Sequence, residues 1–230
     1  MIQQSLKRAL WAKKRALLDF NALAKFSPDF ARIYQKIEID DKSALLSILD
    51  IFNLYSAMQA TRKIPGDIAE LGVYKGGSAL LLCETKNEDK TLHLFDTFEG
   101  LPKEQSIDVK FNRGKQTDTF KEGEYAASLE SVKHYLKNYK NVTFHKGFFP
   151  QSATGLEEKK FSFVHLDADL YQSTKDGLAF FYPRMSKGGI IISHDYPYAE
   201  GVRRAFTEFF DDKPESVLGL LTKQALVVKL

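Results

Sequence analysis

Two short segments concentrate acids and a histidine at the ends of apolar runs. The first reads Val164-His165-Leu166-Asp167-Ala168-Asp169-Leu170-Tyr171, the second Ile192-Ser193-His194-Asp195-Tyr196-Pro197. If the two runs are neighbouring strands, Asp167, Asp169 and Asp195 meet at one edge. Carboxylates that close repel one another unless a cation or a proton sits among them. Such a set is too small to cage an ion fully and leaves room for substrate and water, which suits Mg²⁺. His194 can add a nitrogen ligand, which favours Mn²⁺ or Zn²⁺, or serve instead as general base or hydrogen-bond donor. The competing reading makes these acids plain caps of turns and helices.

A second constellation lies earlier in the chain. Glu70-Leu71-Gly72-Val73-Tyr74-Lys75-Gly76-Gly77-Ser78 follows an apolar run. Gly72 permits a tight turn, and Gly76 and Gly77 let backbone approach a ligand where a Cβ would clash. Glu70 can take a cationic or hydroxyl partner. The segment is neither a Walker P-loop nor the G-x-G-x-x-G of pyrophosphate binders. The next run ends Phe95-Asp96-Thr97. Asp96 falls 24 residues beyond Gly72, close to the roughly 20-residue offset at which an acid accepts the ribose hydroxyls of an adenosine-containing cofactor. An Asp capping its own turn is the alternative. Phe148 and Phe149, in Lys146-Gly147-Phe148-Phe149-Pro150, are candidates for an adenine slot, with at least one expected in the core.

These residues need a frame. The chain has 230 residues, 43% apolar and 27% charged, which fits a soluble globule and excludes a disordered tail or a collagen-like repeat. Its one cysteine, Cys83, excludes an intrachain disulfide and a multi-cysteine zinc site, and points to a cytoplasmic setting. No apolar stretch is long enough to span a membrane. A net charge of +3 is too small to imply nucleic-acid binding. Five of the basic residues (Lys7, Arg8, Lys13, Lys14, Arg15) fall in residues 1–20 against Asp19 alone. That arm is read as a helix, more simply a solvated or packed one than one touching an anionic membrane surface.

Residues 1–62 are read as a helical extension, including Ser43–Gln59, and residues 63–230 as the main domain. Past Ile64-Pro65-Gly66, strand-like runs alternate with helical ones. The runs are Asp67–Val73 then helix Ser78–Thr85, Thr91–Phe95, Val142–Lys146, Phe161–Leu166 then helix Gln172–Met185, and Gly189–Ser193 then helix Gly201–Phe210. This alternation predicts an α/β fold with a parallel sheet covered on both faces. Val217–Leu221 and Ala225–Val228 leave no room for a helix between them and are expected to form an antiparallel edge hairpin. Residues Glu99–Glu124 read as a long polar loop, functional or disordered.

Taken in order, the segments resemble a known family. Pro65–Ser78, Phe95-Asp96-Thr97-Phe98-Glu99-Gly100-Leu101-Pro102, His165–Thr174, and Asp195-Tyr196 before Gly201-Val202-Arg203 are similar to the macrocin O-methyltransferases (TylF/MycF-type). The resemblance runs across about residues 40–210, outside the N-terminal arm. It implies a Rossmann-like class I methyltransferase: a seven-stranded, mostly parallel sheet with a C-terminal antiparallel hairpin. It further implies transfer of a methyl group from S-adenosylmethionine to a hydroxyl of a sugar or glycosylated small molecule, with Mg²⁺, in a homo-oligomer. The cofactor side would then be Glu70, Gly72, Tyr74, Gly76, Ser78, Asp96 and Thr97. Asp167 would be a metal ligand and Asp169 the general base. The family usually carries Asp-Asp-Tyr after the fifth strand, and this chain has His194-Asp195-Tyr196. Asp195 carries over as a ligand, while His194 is a candidate ligand or catalytic group of its own.

Two rival readings remain open on sequence. Tyr171 and Lys175 match the Tyr-x-x-x-Lys pair of NAD(P)-dependent short-chain dehydrogenases, although Ser78 stands where those enzymes have a last glycine. A non-catalytic adaptor on the same scaffold is the other, disfavoured because clustered acids would cost it stability.

Overall fold

A computed structural model describes residues 18–37, 45–112 and 115–230. The basic part of the N-terminal arm, residues 1–17, lies outside the described residues. Residues 18–26 are helical (α1), followed by α2 (Pro28–Tyr34) and α3 (Ile48–Ala60). Helix α3 starts later than the periodicity suggests. Ser47 caps it by accepting from Asp50 N, and the Asp50 carboxylate returns to Ser47 N at 2.9 Å. This reciprocal cap fixes the true start.

The sheet is built from β1 (Asp67–Leu71), β2 (Leu92–Asp96), β5 (Val142–Lys146), β6 (Phe161–Leu166), β7 (Met185–Ser193), β8 (Leu218–Gly219) and β9 (Ala225–Val228), in the order β5-β2-β1-β6-β7-β9-β8. Pairing is parallel from β5 to β7, and β9 runs antiparallel to both β7 and β8. The chain order reverses direction across the sheet between β1 and β6, and ligands of such sheets sit beyond the strand ends at that point. Helices α4 (Gly77–Thr85), α5 (Leu129–Tyr135), α6 (Tyr171–Phe181) and α7 (Glu200–Phe210) complete the layers.

Alternation along each strand sorts side chains to two faces. Ile68, Phe163 and Ile192 join Phe30, Ile51 and Leu81 under α2, α3 and α4. Ala69, Val164 and Ile191 join Phe181, Val202 and Phe206 under α6 and α7. On that second face Phe95, Phe149, Phe161 and Phe181 pack with ring centroids 5.2 to 5.8 Å apart. Truncating a ring such as Phe181 to Ala costs about 3–5 kcal/mol.

The helix expected over Gln172–Met185 ends at Phe181, because Pro183 opens a 3-10 turn (Tyr182–Arg184) and β7 already begins at Met185. Residues 99–124 are not one open loop. They contain an antiparallel pair, β3 (Val109–Asn112) and β4 (Lys115–Thr119). Strand β4 is largely exposed and polar, so it carried no alternation to read; backbone pairing holds it. Among the described residues no helix is long and apolar enough to cross a membrane.

Candidate functional site

A cavity opens beyond the carboxyl ends of β1, β2, β5, β6 and β7, lined on one side by Gly72, Tyr74, Ser78, Asp96 and Thr97 and on the other by Asp167, Asp169, His194 and Asp195. The main chain fixes this juxtaposition. Past the strand ends the ladder continues, with Asp167 N donating to Leu71 O (2.8 Å) and His194 N to Leu166 O (3.0 Å). Three successive strands therefore deliver their terminal residues side by side. At Gly72, φ is +90°, and a Cβ there would lie 1.9 Å from the Asp167 carbonyl oxygen. Only glycine lets the two turns meet this closely.

On the first side, Asp96 does the work of a clamp. One carboxylate oxygen accepts from Val73 N (2.7 Å) and Tyr74 N (3.0 Å), the other from Phe98 N (2.7 Å). It thereby holds the glycine turn against its own turn, so the capping reading holds, and Asp96 also lines the cavity. Tyr74 and Tyr125 meet edge to face at 6.0 Å, and Thr97 Oγ1 donates to Gly100 O at 2.7 Å. Phe148 stands 61% exposed at the cavity while Phe149 packs into the aromatic core, so one ring of the pair is core, as expected.

Two sequence-derived assignments need correction. Glu70 is fully buried and does not reach the cavity surface; its carboxylate pairs with His165 Nδ1 at 2.8 Å. Burial pushes that carboxyl up, partly opposed by His165. Gly76 does not approach the cavity either. It caps α4 at φ +87°, and a Cβ there would lie 3.1 Å from Val132 and 3.3 Å from Tyr135 of α5. Gly76 serves helix packing, a role invisible without knowing where α5 lies.

On the second side, His194 Nδ1 stands 3.2 Å from Asp167 Oδ1 and 3.4 Å from Asp195 Oδ1. One ligand atom from each of Asp167, His194 and Asp195 falls within 4.8 Å of the others. Burial works against the His194 charge, but Asp167 and Asp195 outweigh it and raise that imidazole well above its ordinary value. Burial likewise opposes the Asp167 charge, and His194 holds this carboxyl below the usual range. Asp169 goes the other way. Burial, then Asp195 and Asp167, push it well up, and it shares a hydrogen bond with Asp195. Asp169 and Asp195 both adopt the left-handed backbone region, at φ +59° and +58°, a conformation Asp tolerates better than most residues. Asp195 Oδ1 is buried without a hydrogen-bond partner.

Several lining residues went unread in the sequence. Tyr125 and Glu124 arrive from the end of the β3–β4 insert, Leu45 and Leu46 from the segment before α3, and Lys223 from the β8–β9 turn. Lys223 Nζ lies 4.0 Å from Asp195 Oδ1 and over the Tyr198 ring. Asp50 is 3% exposed, and its Oδ2 stands 4.0 Å from His194 Nε2. Of these, only Asp50 had a legible signal, the Ser47-x-x-Asp50 capping pattern. Tyr171 and Lys175 do not line the cavity: Tyr171 donates to Glu208 (2.6 Å) and Lys175 to Tyr171 (3.2 Å), on the outer face of α6 and α7. The dehydrogenase reading loses its catalytic pair.

The strand order and the site define a class I methyltransferase fold. Solved structures agree. The O-methyltransferase NovP superposes with a TM-score of 0.71 at 23% identity, over 81% of this chain and 82% of that one. The calicheamicin methyltransferase CalS11 gives 0.65 at 18%, over 94% and 92%. Residues 49–215 match the Macrocin-O-methyltransferase (TylF) family, and the chain belongs to it. Among curated relatives, the 8-demethyl-8-(2,3-dimethoxy-alpha-L-rhamnosyl)-tetracenomycin-C 4'-O-methyltransferase of Streptomyces olivaceus is 31% identical over 141 residues, covering 58% of this chain and 54% of the relative. The mycinamicin III 3''-O-methyltransferase of Micromonospora griseorubida is 29% identical over 145 residues, covering 58% and 56%. The chain thus matches a little over half the length of these relatives.

Proposed function

We propose that the chain is an S-adenosylmethionine-dependent O-methyltransferase that alkylates a hydroxyl of a sugar or glycosylated small molecule, assisted by a divalent cation. One observation carries the reading: an underpartnered acid–histidine cluster and a glycine turn tied down by Asp96 share one cavity, pinned together at the Gly72–Asp167 contact. Family membership supports the same class of reaction.

The donor set fits an ion. Asp167 and Asp195 would offer two hard oxygens, and His194 one nitrogen once an ion displaces the proton that these acids favour on its ring; Asp195 Oδ1 accepts no hydrogen bond that would compete. Mg²⁺ and Mn²⁺ both accept such a set, the nitrogen favouring Mn²⁺. When bound, S-adenosylmethionine supplies an electrophilic methyl group, and the ion supplies Lewis acidity that lowers a nearby hydroxyl's pKa. Gly72, Tyr74, Ser78, Asp96 and Thr97 would hold the cofactor, with Asp96 keeping the turn in shape. Asp169 would take the hydroxyl proton. Burial, then Asp195 and Asp167, disfavour the charged form of Asp169, with His194 opposing them; added positive charge among them favours the carboxylate that acts as a base. Tyr125, brought up near Asp169, closes the wall beside the reacting groups. Alignment of donor and acceptor by these walls is itself a large part of the expected acceleration.

Titration calorimetry with S-adenosylhomocysteine and with NADH, followed by a screen of glycosides carrying free hydroxyls in Mn²⁺ or Mg²⁺ against EDTA, tests the proposal. Binding of the first nucleoside only, and chelator-sensitive turnover, are expected. Binding of NADH alone removes the transferase reading, and turnover indifferent to EDTA removes the ion.

A further inference from the structure

The β3–β4 insert touches the site in a way that neither the family match nor the lining residues explain. Asp108, just before β3, is 1% exposed. Its Oδ2 accepts from Gln105 N and its Oδ1 from Tyr171 N, both at 2.7 Å. Tyr171 opens α6 and follows Asp169 by two residues, and the N-cap residue Leu170 supplies no side-chain cap. The free N–H at the head of α6 is therefore satisfied by a carboxylate from a segment 63 residues earlier, where an acid also suits the helix dipole. Space is reserved for that carboxylate. A Cβ on Gly201 would lie 2.4 Å from Asp108 Oδ1 and 2.9 Å from Tyr171 N.

The same insert grips the second acid-bearing turn. Phe111 N donates to Tyr198 O at 2.7 Å, and Lys110 bridges to Ala199. Tyr198 N and Ala199 N in turn donate to Asp195 O at 3.0 and 2.8 Å. Both Asp169 and Asp195 sit in left-handed backbone, a conformation that persists only where surroundings enforce it. The insert is the one element among the described residues that bonds to both turns from outside the sheet.

We infer that Asp108 is a positioning residue for methyl transfer: by capping α6 from the β3–β4 insert, it holds the Asp167–Asp169 turn in the conformation that aims Asp169 at the acceptor. The inference rests on the transferase reading for its catalytic meaning, but its structural half is tested without an acceptor. Full-length D108A and D108N are compared with wild type by hydrogen exchange of the amides of residues 169–175, by calorimetry with S-adenosylhomocysteine, and by turnover on the accepted glycoside. In D108A, exchange at Tyr171 is expected to quicken at least tenfold and kcat to fall about ten- to a hundredfold, with nucleoside affinity within about threefold. D108N keeps one oxygen able to accept from Tyr171 and is expected to recover most of the turnover. Unchanged exchange in D108A overturns the inference. So does a parallel collapse of nucleoside affinity and melting temperature, which would make Asp108 a general structural group. Should wild type transfer no methyl group at all, the exchange result still decides whether Asp108 fastens the turn, and the failure falls on the transferase reading.

Discussion

The two sides of the cavity treat their acids in opposite ways. Asp96 gives its oxygens to three backbone N–H groups, and its charge is consumed in building a turn. Asp167, Asp169 and Asp195 stand close together, share a single histidine and leave one buried oxygen unmatched. The first arrangement is complete without a ligand. The second sets three acids against His194 and Lys223, an excess of negative charge that a further proton or a cation relieves. A saturated carboxylate is therefore a shaping device, and an unsaturated group of them is the place to look for chemistry.

The largest expected effect breaks the unfinished side. Because burial, Asp195 and Asp167 push the Asp169 carboxyl up, Asp169→Asn removes a charge that its surroundings disfavour. Melting temperature should hold or rise, while turnover drops by about 10²–10⁴ if Asp169 is the base. A variant that retains turnover removes that role, and one that unfolds contradicts the picture of a disfavoured charge at Asp169.

Breaking the finished side should do the reverse. Asp96→Ala strands three backbone donors beside an open cavity, where water can take over part of the lost bonding, so the net cost is about 1–3 kcal/mol in total. Denaturant unfolding should show a loss within the range for one such site, together with weaker S-adenosylhomocysteine binding. Undiminished stability would mean that the turn holds itself.

The smallest effect sharpens the comparison with a histidine pair remote from the acids. His145 stacks on Phe95 and meets His93, which faces Asp67, with Lys159 on the same carboxylate. Burial and then His93 depress His145 to about 4. A folded-state value below the unfolded value of about 6.5 means that the unfolded chain binds the proton more readily. Stability is thus lost as pH falls from about 6.5 toward 4. Denaturation at pH 7 and pH 5 should show a smaller acid penalty in His145→Asn than in wild type; equal penalties would place the sensitivity elsewhere.

The sequence was most readable where one physical signal dominated. Phe161–Leu166 is buried throughout, and its apolar run could be little else than a central strand. Asp167 and Asp195 were legible because strand ends deliver side chains to a common edge once the sheet is parallel. Glu70 takes the kind of partner its type suggested, but that partner is His165, 95 residues away and outside the cavity lining. Gly76 was misread for want of α5, although Ser128 as cap with Leu129, Val132 and Leu136 spaced at helical intervals did carry a signal for that helix. In the β3–β4 insert, Ile107, Val109 and Phe111 alternate with Asp108, Lys110 and Asn112, a short strand signal passed over, while β4 had none. Polar β4 is held by backbone pairing to β3, and Asp108 ties the insert to α6, neither of which leaves a periodicity.

The main-chain contact between Gly72 and Asp167 has an evolutionary corollary. The gap between the Asp96 side of the cavity and the Asp169 side is ruled by strand spacing, which side-chain replacement hardly alters. Leu45, Leu46, Tyr125, Tyr198 and Lys223, by contrast, hang from connections outside the parallel strands. Descendants of this scaffold are thus free to reshape the cavity's outer wall through those connections while the strand-end residues keep their places.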